Sequence, residues 1–151
     1  MKNNDILKKI RYAFDLGDDK MIQIFSFGGL EVSRAEVSDY LKKEEDENYK
    51  PLNDRKFAHF LNGLIIYFRG KKGDETPEAE KILNNNIIFR KLKIALSLKD
   101  EDLIAIYELV DLHVSKHEIS AIFRNPSQSQ YRECKDQFLR NFLDGLIKKH
   151  R

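Results

Sequence analysis

The sequence predicts an all-α protein made by tandem duplication of a small four-helix unit that contains a helix-turn-helix-like hairpin. Three observations lead there. A shift of about 82 residues lays the segment 3–69 over 85–151 without a gap, and about a third of the aligned pairs are identical. A short phrase occurs twice, as Val32-Ser33-Arg34-Ala35-Glu36-Val37-Ser38 and as Val114-Ser115-Lys116-His117-Glu118-Ile119-Ser120. Apolar residues recur at helical spacing, without alternating strand patterns or Asn-Gly hairpin signals, and Pro51, Pro77 and Pro126 all fall between the periodic segments. The chain divides into a first helical repeat over residues 1–70, a linker over 71–84 and a second repeat over 85–151.

The first helix of each unit follows an Asn-rich cap, Asn3 and Asn4 or Asn84 to Asn86. It carries one buried stripe, Ile6, Ile10, Ala13 and Phe14 or Ile88, Leu92, Ala95 and Leu96. Between the stripes Lys8, Lys9 and Arg11, or Arg90, Lys91 and Lys93, face water or a partner. The second helix begins at Asp18 or Asp100, whose carboxylate suits both the cap and the positive end of the helix dipole. Ile22, Ile24 and Phe25, or Ile104, Ile106 and Tyr107, supply its core face. Gly28-Gly29 then frees the backbone for a tight turn, a task that Val110-Asp111 performs in the second copy without glycine.

The third helix opens with the repeated phrase. A Ser followed three positions later by Glu is a capping box, in which the hydroxyl satisfies one free N–H of the first turn and the carboxylate reaches back to another. A polar loop follows, acidic over Glu44 to Glu47 and neutral over Pro126 to Ser129, closing on Tyr49 or Tyr131. The fourth helix has the strongest stripe, Phe57, Phe60, Leu61, Leu64, Ile65 and Phe68, repeated as Leu139, Phe142, Leu143, Leu146 and Ile147. Gly63 and Gly145 stand inside it at equivalent places, at a cost of about 1 kcal/mol each relative to alanine, which points to close backbone contact with another helix. In the linker Thr76-Pro77-Glu78 suits a cap and first-turn proline, so a short extra helix through Ile82 is expected. The two units are expected to pack as a pseudo-symmetric pair.

With 151 residues and 41% hydrophobic content the chain can build a real core. Charged residues make up 34% of it but nearly cancel to a formal +2, so any binding surface must arise from local clustering rather than bulk charge. No apolar stretch approaches the ~20 residues of a membrane span, and the Asn-rich, acidic start does not read as a signal peptide. No membrane partner and a cytoplasmic address are the expectation.

Cys134 is the only cysteine, which excludes an internal disulfide and Cys-rich metal frameworks. Its repeat partner is Leu52, so it reads as a small apolar site rather than a nucleophile. His113 and His117 stand four apart, but Ser115 as N-cap leaves His113 outside the helix and no third ligand is near in sequence. The acidic run Glu44 to Glu47 lacks the alternating ligands and central glycine of a calcium loop. Neither a glycine-rich phosphate loop nor a Gly-x-Ser-x-Gly elbow occurs. The expectation is a non-enzymatic protein without catalytic residues, metal or cofactor.

Several phrases together resemble an uncharacterised bacterial family, the YehS-like proteins: His59-Phe60-Leu61-Asn62-Gly63-Leu64-Ile65, Asn84-Asn85-Asn86-Ile87 leading to Arg90-Lys91-Leu92, and Tyr131-Arg132-Glu133-Cys134 with Asp136-Gln137 and Arg140-Asn141-Phe142-Leu143. The resemblance covers nearly the whole chain. It implies a duplicated α-helical domain in a soluble bacterial protein and brings no activity, ligand or catalytic residue.

For function the residues point to nucleic-acid binding or regulation, with DNA or RNA engaged by the helix-turn-helix-like element. In that motif the second helix presents its early residues to base edges. The expected contacts are Arg34, Lys116, Ser120, Arg124, Arg132, Lys135 and Arg140, weighted to the second unit, which holds roughly 12 basic and 9 acidic residues against roughly 12 and 12 in the first. Gly29 stands two residues earlier than the usual turn glycine of that motif. The alternative is a protein-interaction module, another protein or a second copy meeting an apolar surface in the groove between units or around Tyr40, Tyr49 and Tyr67.

Overall fold

The computed structural model describes residues 1–71, 73 and 77–151 and places eight α-helices among them. In the first unit these are α1 (Asn3–Phe14), α2 (Asp18–Phe27), α3 (Arg34–Tyr40) and α4 (Asp54–Arg69). In the second they are α5 (Asn85–Ala95), α6 (Asp100–Glu108), α7 (Lys116–Ile122) and α8 (Asp136–His150). The duplication is thus repeated helix for helix.

The units interlock. α2 packs on α4 and α6 on α8 within each repeat, but α1 lies against α8 and α5 against α4, so each first helix rests on the fourth helix of the other unit. This reciprocal exchange is what a pseudo-twofold axis requires. One continuous core results, running from Ile6, Leu7 and Ile10 through Phe57 and Phe60 to Phe89, Phe142 and Leu146.

Two polar clamps sit at equivalent points of the seam. Lys9 Nζ pairs with Asp144 Oδ1 at 2.6 Å. The matching Lys91 faces Asn62, which offers only a neutral amide oxygen, and the missing carboxylate comes from linker residue Glu80 at 3.0 Å. This anchoring explains why residues 77–84 do not form the short helix expected there. Leu83 N–H donates to Asp54 Oδ2 at 2.9 Å and Ala79 is buried, so the segment is held along α4 in a non-helical path. Thr76, its expected cap, lies outside the described residues.

The Asn runs do more than cap. Asn84 does cap α5, accepting from Ile87 N–H at 2.9 Å, but the N-cap of α1 is Lys2. Asn4 is buried and reaches across the unit: its Nδ2 donates to the carbonyls of Tyr40 and Lys50, both 2.9 Å, and its Oδ1 accepts from Leu52 N–H at 2.9 Å. Asn86 repeats the pattern with Ile122, Arg132 and Cys134 at 3.0, 2.9 and 2.8 Å. Each amide satisfies three backbone groups, two buried and one partly buried, at the two ends of the irregular loop. Asp18 and Asp100 are the first helical residues rather than the caps, which are Gly17 and Lys99; their carboxylates still lie in the first turn, where the helix dipole favours them.

The interior glycines mark backbone contact, as their position implied. A Cβ at Gly63 would lie 1.7 Å from Ile24 O, and one at Gly28 would lie 1.7 Å from His59 O. α2 and α4 therefore cross at a distance only glycine permits. In the second unit Val110 stands in place of Gly28 and the crossing is looser, with the Gly145 Cβ position 2.5 Å from Ile106 O. The left-handed turn residue is Gly29 (φ 92°) in one copy and Asp111 (φ 62°) in the other, aspartate being among the few side-chain-bearing residues that adopt it readily.

Two stability outcomes follow. Asn4→Ala should cost about 3 kcal/mol in urea unfolding, because it strands three backbone groups at once. Gly63→Ala should destabilise by about 3 kcal/mol or more and Gly145→Ala by less, despite alanine's better helix propensity; equal losses would show that the two crossings are alike.

Candidate functional site

Ser33 and Ser115 do begin their helices. Glu36 N–H donates to Ser33 Oγ at 3.0 Å and Ser33 N–H donates to Glu36 Oε1 at 3.1 Å, a bond that holds the Glu36 carboxyl below its ordinary range. In the second copy Glu118 N–H donates to Ser115 Oγ at 3.1 Å, and the hydroxyl itself donates to Glu118 Oε1 at 3.3 Å. The third helices are short, 7 residues each, and the connections before them run over residues 28–33 and 109–115, longer than the about three or four residues of a DNA-binding turn.

The residues expected to touch nucleic acid are spread over this surface. Arg34 lies in the first unit, paired with Asp18 at 3.4 Å and with Asp19. Lys116 is exposed on the first turn of α7 and Ser120 is half-buried on it. Arg132 and Lys135 share a hollow of about 80 Å³ with Ile122 and Phe138, but Glu118 and Glu133 line it too, and Lys135 pairs with Glu133 at 3.1 Å. Arg140 donates to Gln137 Oε1 at 2.7 Å on its own helix. Arg124 is half-buried with its Nε unpartnered; its counterpart Lys42 has Asp39 beside it, where α7 has only Ala121. Of the tyrosines named for an apolar face, Tyr40 is wholly buried, stacked beside Phe25, and Tyr67 packs on Phe68.

A larger feature occupies the α4–α5 side of the seam. Three hollows adjoin there. The central one, about 400 Å³, is lined by Arg69, Arg90, Lys93, Ile94, Ser97, Leu98 and Phe123. A second, about 270 Å³, shares Arg69 and Ile94 with it and adds Ile65, Ile66, Lys71 and Pro77. The third, also about 270 Å³, shares Ser97 and Leu98 and adds Phe14, Phe68, Lys149 and His150. Together they form a trough carrying Arg69, Lys71, Arg90, Lys93 and Lys149, with no carboxylate among its described lining residues. Lys93 lies 4.4 Å from the centre of the Phe123 ring and 3.7 Å from Asp100, while Arg69 donates to Ile94 O at 3.4 Å. Partial burial against Phe14 and the neighbouring Lys149 charge keep the His150 imidazole below its ordinary pKa. Arg90 is exposed and has no ionic or hydrogen-bonded partner among the described residues. The only signal for this site in the sequence is the basic set Arg90 and Lys93 between the α5 stripes; the other walls come from the ends of α1, α4, α7 and α8 and from the linker.

Comparison with known families identifies one match, to proteins of unknown function designated DUF1456, over residues 3–70 and 85–151. The chain belongs to the DUF1456 family. The match falls on the two repeats separately, as the duplication requires. The Uncharacterized protein YehS of Escherichia coli (strain K12) is 41% identical over 149 residues, covering 97% of this chain and 94% of that protein. No solved structure matches.

In this DUF1456 chain Cys134 takes the place of Leu52 in fact as well as in register. Both side chains are buried, and both backbone N–H groups donate to the equivalent asparagine. Burial pushes the thiol up to about 12, with Asp136 and Glu133 adding to the effect, so the thiolate needed for nucleophilic attack is scarcely populated at neutral pH. No helix is long and apolar enough to cross a membrane among the described residues. Folded protein at pH 8 should therefore leave Cys134 unalkylated by iodoacetamide over hours, with full labelling in 6 M guanidinium (a concentration on the order of that used for complete unfolding). Rapid labelling of the native protein, read by mass spectrometry, would place the thiol at the surface.

Proposed function

We propose that this protein binds nucleic acid without catalysing a reaction on it, and that the trough at the α4–α5 seam is the surface that does so. The observation carrying this reading is the trough's composition: five cationic side chains and the Phe14, Phe68 and Phe123 rings, without a lining carboxylate and with Asp100, beside Lys93, as the one acidic partner among the described residues, on a chain whose formal charge is only +2. Affinity for nucleic acid rests on concentrated cations that displace condensed counterions, and base faces stack on aromatic rings. The hollow holding Arg132 and Lys135 is weaker on the same criterion, since two carboxylates accompany its two cations.

Fluorescence anisotropy with labelled oligonucleotides at low salt tests this. Affinity should fall steeply with salt, and the double variant Arg90→Ala/Lys93→Ala should weaken binding about tenfold and lower the log–log salt slope by about 1.4 to 1.8, with the melting temperature unchanged. Lys116→Ala/Arg132→Ala should have a smaller effect; the reverse ranking would move the site to the α7 face. Absence of binding to any oligonucleotide at low salt would end the nucleic-acid reading, and a salt-insensitive protein partner recovered instead would favour an apolar interaction module.

A further inference from the structure

We infer that the trough takes one extended single strand of nucleic acid per molecule, and that the pseudo-equivalent surface is the poorer site because its Arg151 is engaged by Asp15 and Tyr12. This rests on the nucleic-acid reading above and adds the form of the ligand and its number.

The form follows from shape. Duplex recognition inserts a protruding helix or ribbon into a groove, whereas here the cations line a concavity. The hollows of about 270 and 400 Å³ that carry Phe14, Phe68 and Phe123 are open depressions; a duplex keeps its base faces stacked inside the helix and cannot lay them on these rings, whereas an unpaired strand can do so while its phosphates meet Arg69, Arg90 and Lys93. The hollow formed by Ile65, Ile66 and Pro77 at one end, with Arg69 and Lys71 beside it, suits the exposed ring face of an unpaired base.

The number follows from how the duplicate copies have diverged. Duplication supplies each wall twice, Arg69 corresponding to Arg151, Arg90 to Lys8, Ile94 to Tyr12 and Ser97 to Asp15. On the second side Arg151 and Lys8 are tied down, while Arg11, the counterpart of Lys93, stays exposed. Arg151 pairs with Asp15 at 3.3 Å and lies 4.4 Å from the centre of the Tyr12 ring, and Lys8 donates to Lys42 O at 2.8 Å. On the first side serine replaces that aspartate, isoleucine replaces that tyrosine, and Arg90 has no partner among the described residues, the one ion pair there being Lys93 with Asp100 at 3.7 Å. Asp15 and Ser97 share one backbone conformation, φ 52° and 53°, so exchanging the two side chains asks nothing new of the chain.

The test titrates the full-length protein with a labelled oligothymidylate, its hairpin duplex counterpart and a mononucleotide, and determines stoichiometry by native mass spectrometry. The expected result is one strand per chain, bound at least tenfold more tightly than the duplex and far more tightly than the mononucleotide. Ser97→Asp should cost tenfold or more in strand affinity at unchanged melting temperature, while Asp15→Ser should not weaken it. Duplex bound as tightly as the strand would overturn the inference and leave the nucleic-acid reading standing, as would a mononucleotide matching the strand, two strands per chain, or an indifferent, folded Ser97→Asp variant. Failure of every probe, mononucleotide included, would remove both.

Discussion

Two buried asparagine side chains organise everything outside the helices. Asn4 and Asn86 each stand at the beginning of a first helix, and each ties the last turn of a third helix to the extended segment that leads into a fourth. A carboxamide is suited to this because it donates twice and accepts at one oxygen, matching two carbonyls and one N–H in the same small space. The loop it secures has no ladder of its own. Most of the loop is exposed, and the amide fastens only its two ends, at Tyr40 and at Lys50 to Leu52 in the first copy, so that the fourth helix takes its direction from where that loop ends.

The second organising fact is the exchange of first helices. Because α1 is completed by α8 and α5 by α4, the seam between units belongs to the hydrophobic core. Polar clamps then pin the seam at two equivalent points, and their chemistry has drifted apart: an aspartate on one side, an asparagine helped by a linker carboxylate on the other. The same drift separates the two flanks of the molecule. On the α4–α5 side serine and isoleucine stand beside the linker, where the equivalent positions of the other unit hold an aspartate and a tyrosine that engage Arg151.

Most of the helical framework was legible in the sequence, since it depends on local spacing: the duplication, the stripes, the serine starts of α3 and α7, and the mid-helix glycines all concern residues within a few turns of each other. What escaped depends on distant partners. An asparagine before a helix reads as a cap, as Asn84 is, and nothing local to Asn4 or Asn86 reveals acceptors near residues 40 and 50 or 122 and 132. Arg34 looked available because Asp18 and Asp19 sit on another helix. The linker helix failed to form because Glu80 and Leu83 had better partners on α5 and α4 than in a turn of their own. The trough, assembled from separate stretches of chain, has no contiguous motif to find.

The contact between α1 and α8 also governs the order in which this chain can mature. Residues near the beginning bury their apolar stripe on residues added more than a hundred positions later, so on the ribosome α1 must wait for α8. At translation speeds that delay is on the order of ten seconds. During it, the stripe of Ile6, Leu7 and Ile10 is shielded only by its own unfinished unit, and the nascent chain depends on chaperones or on speed to avoid pairing with its neighbours.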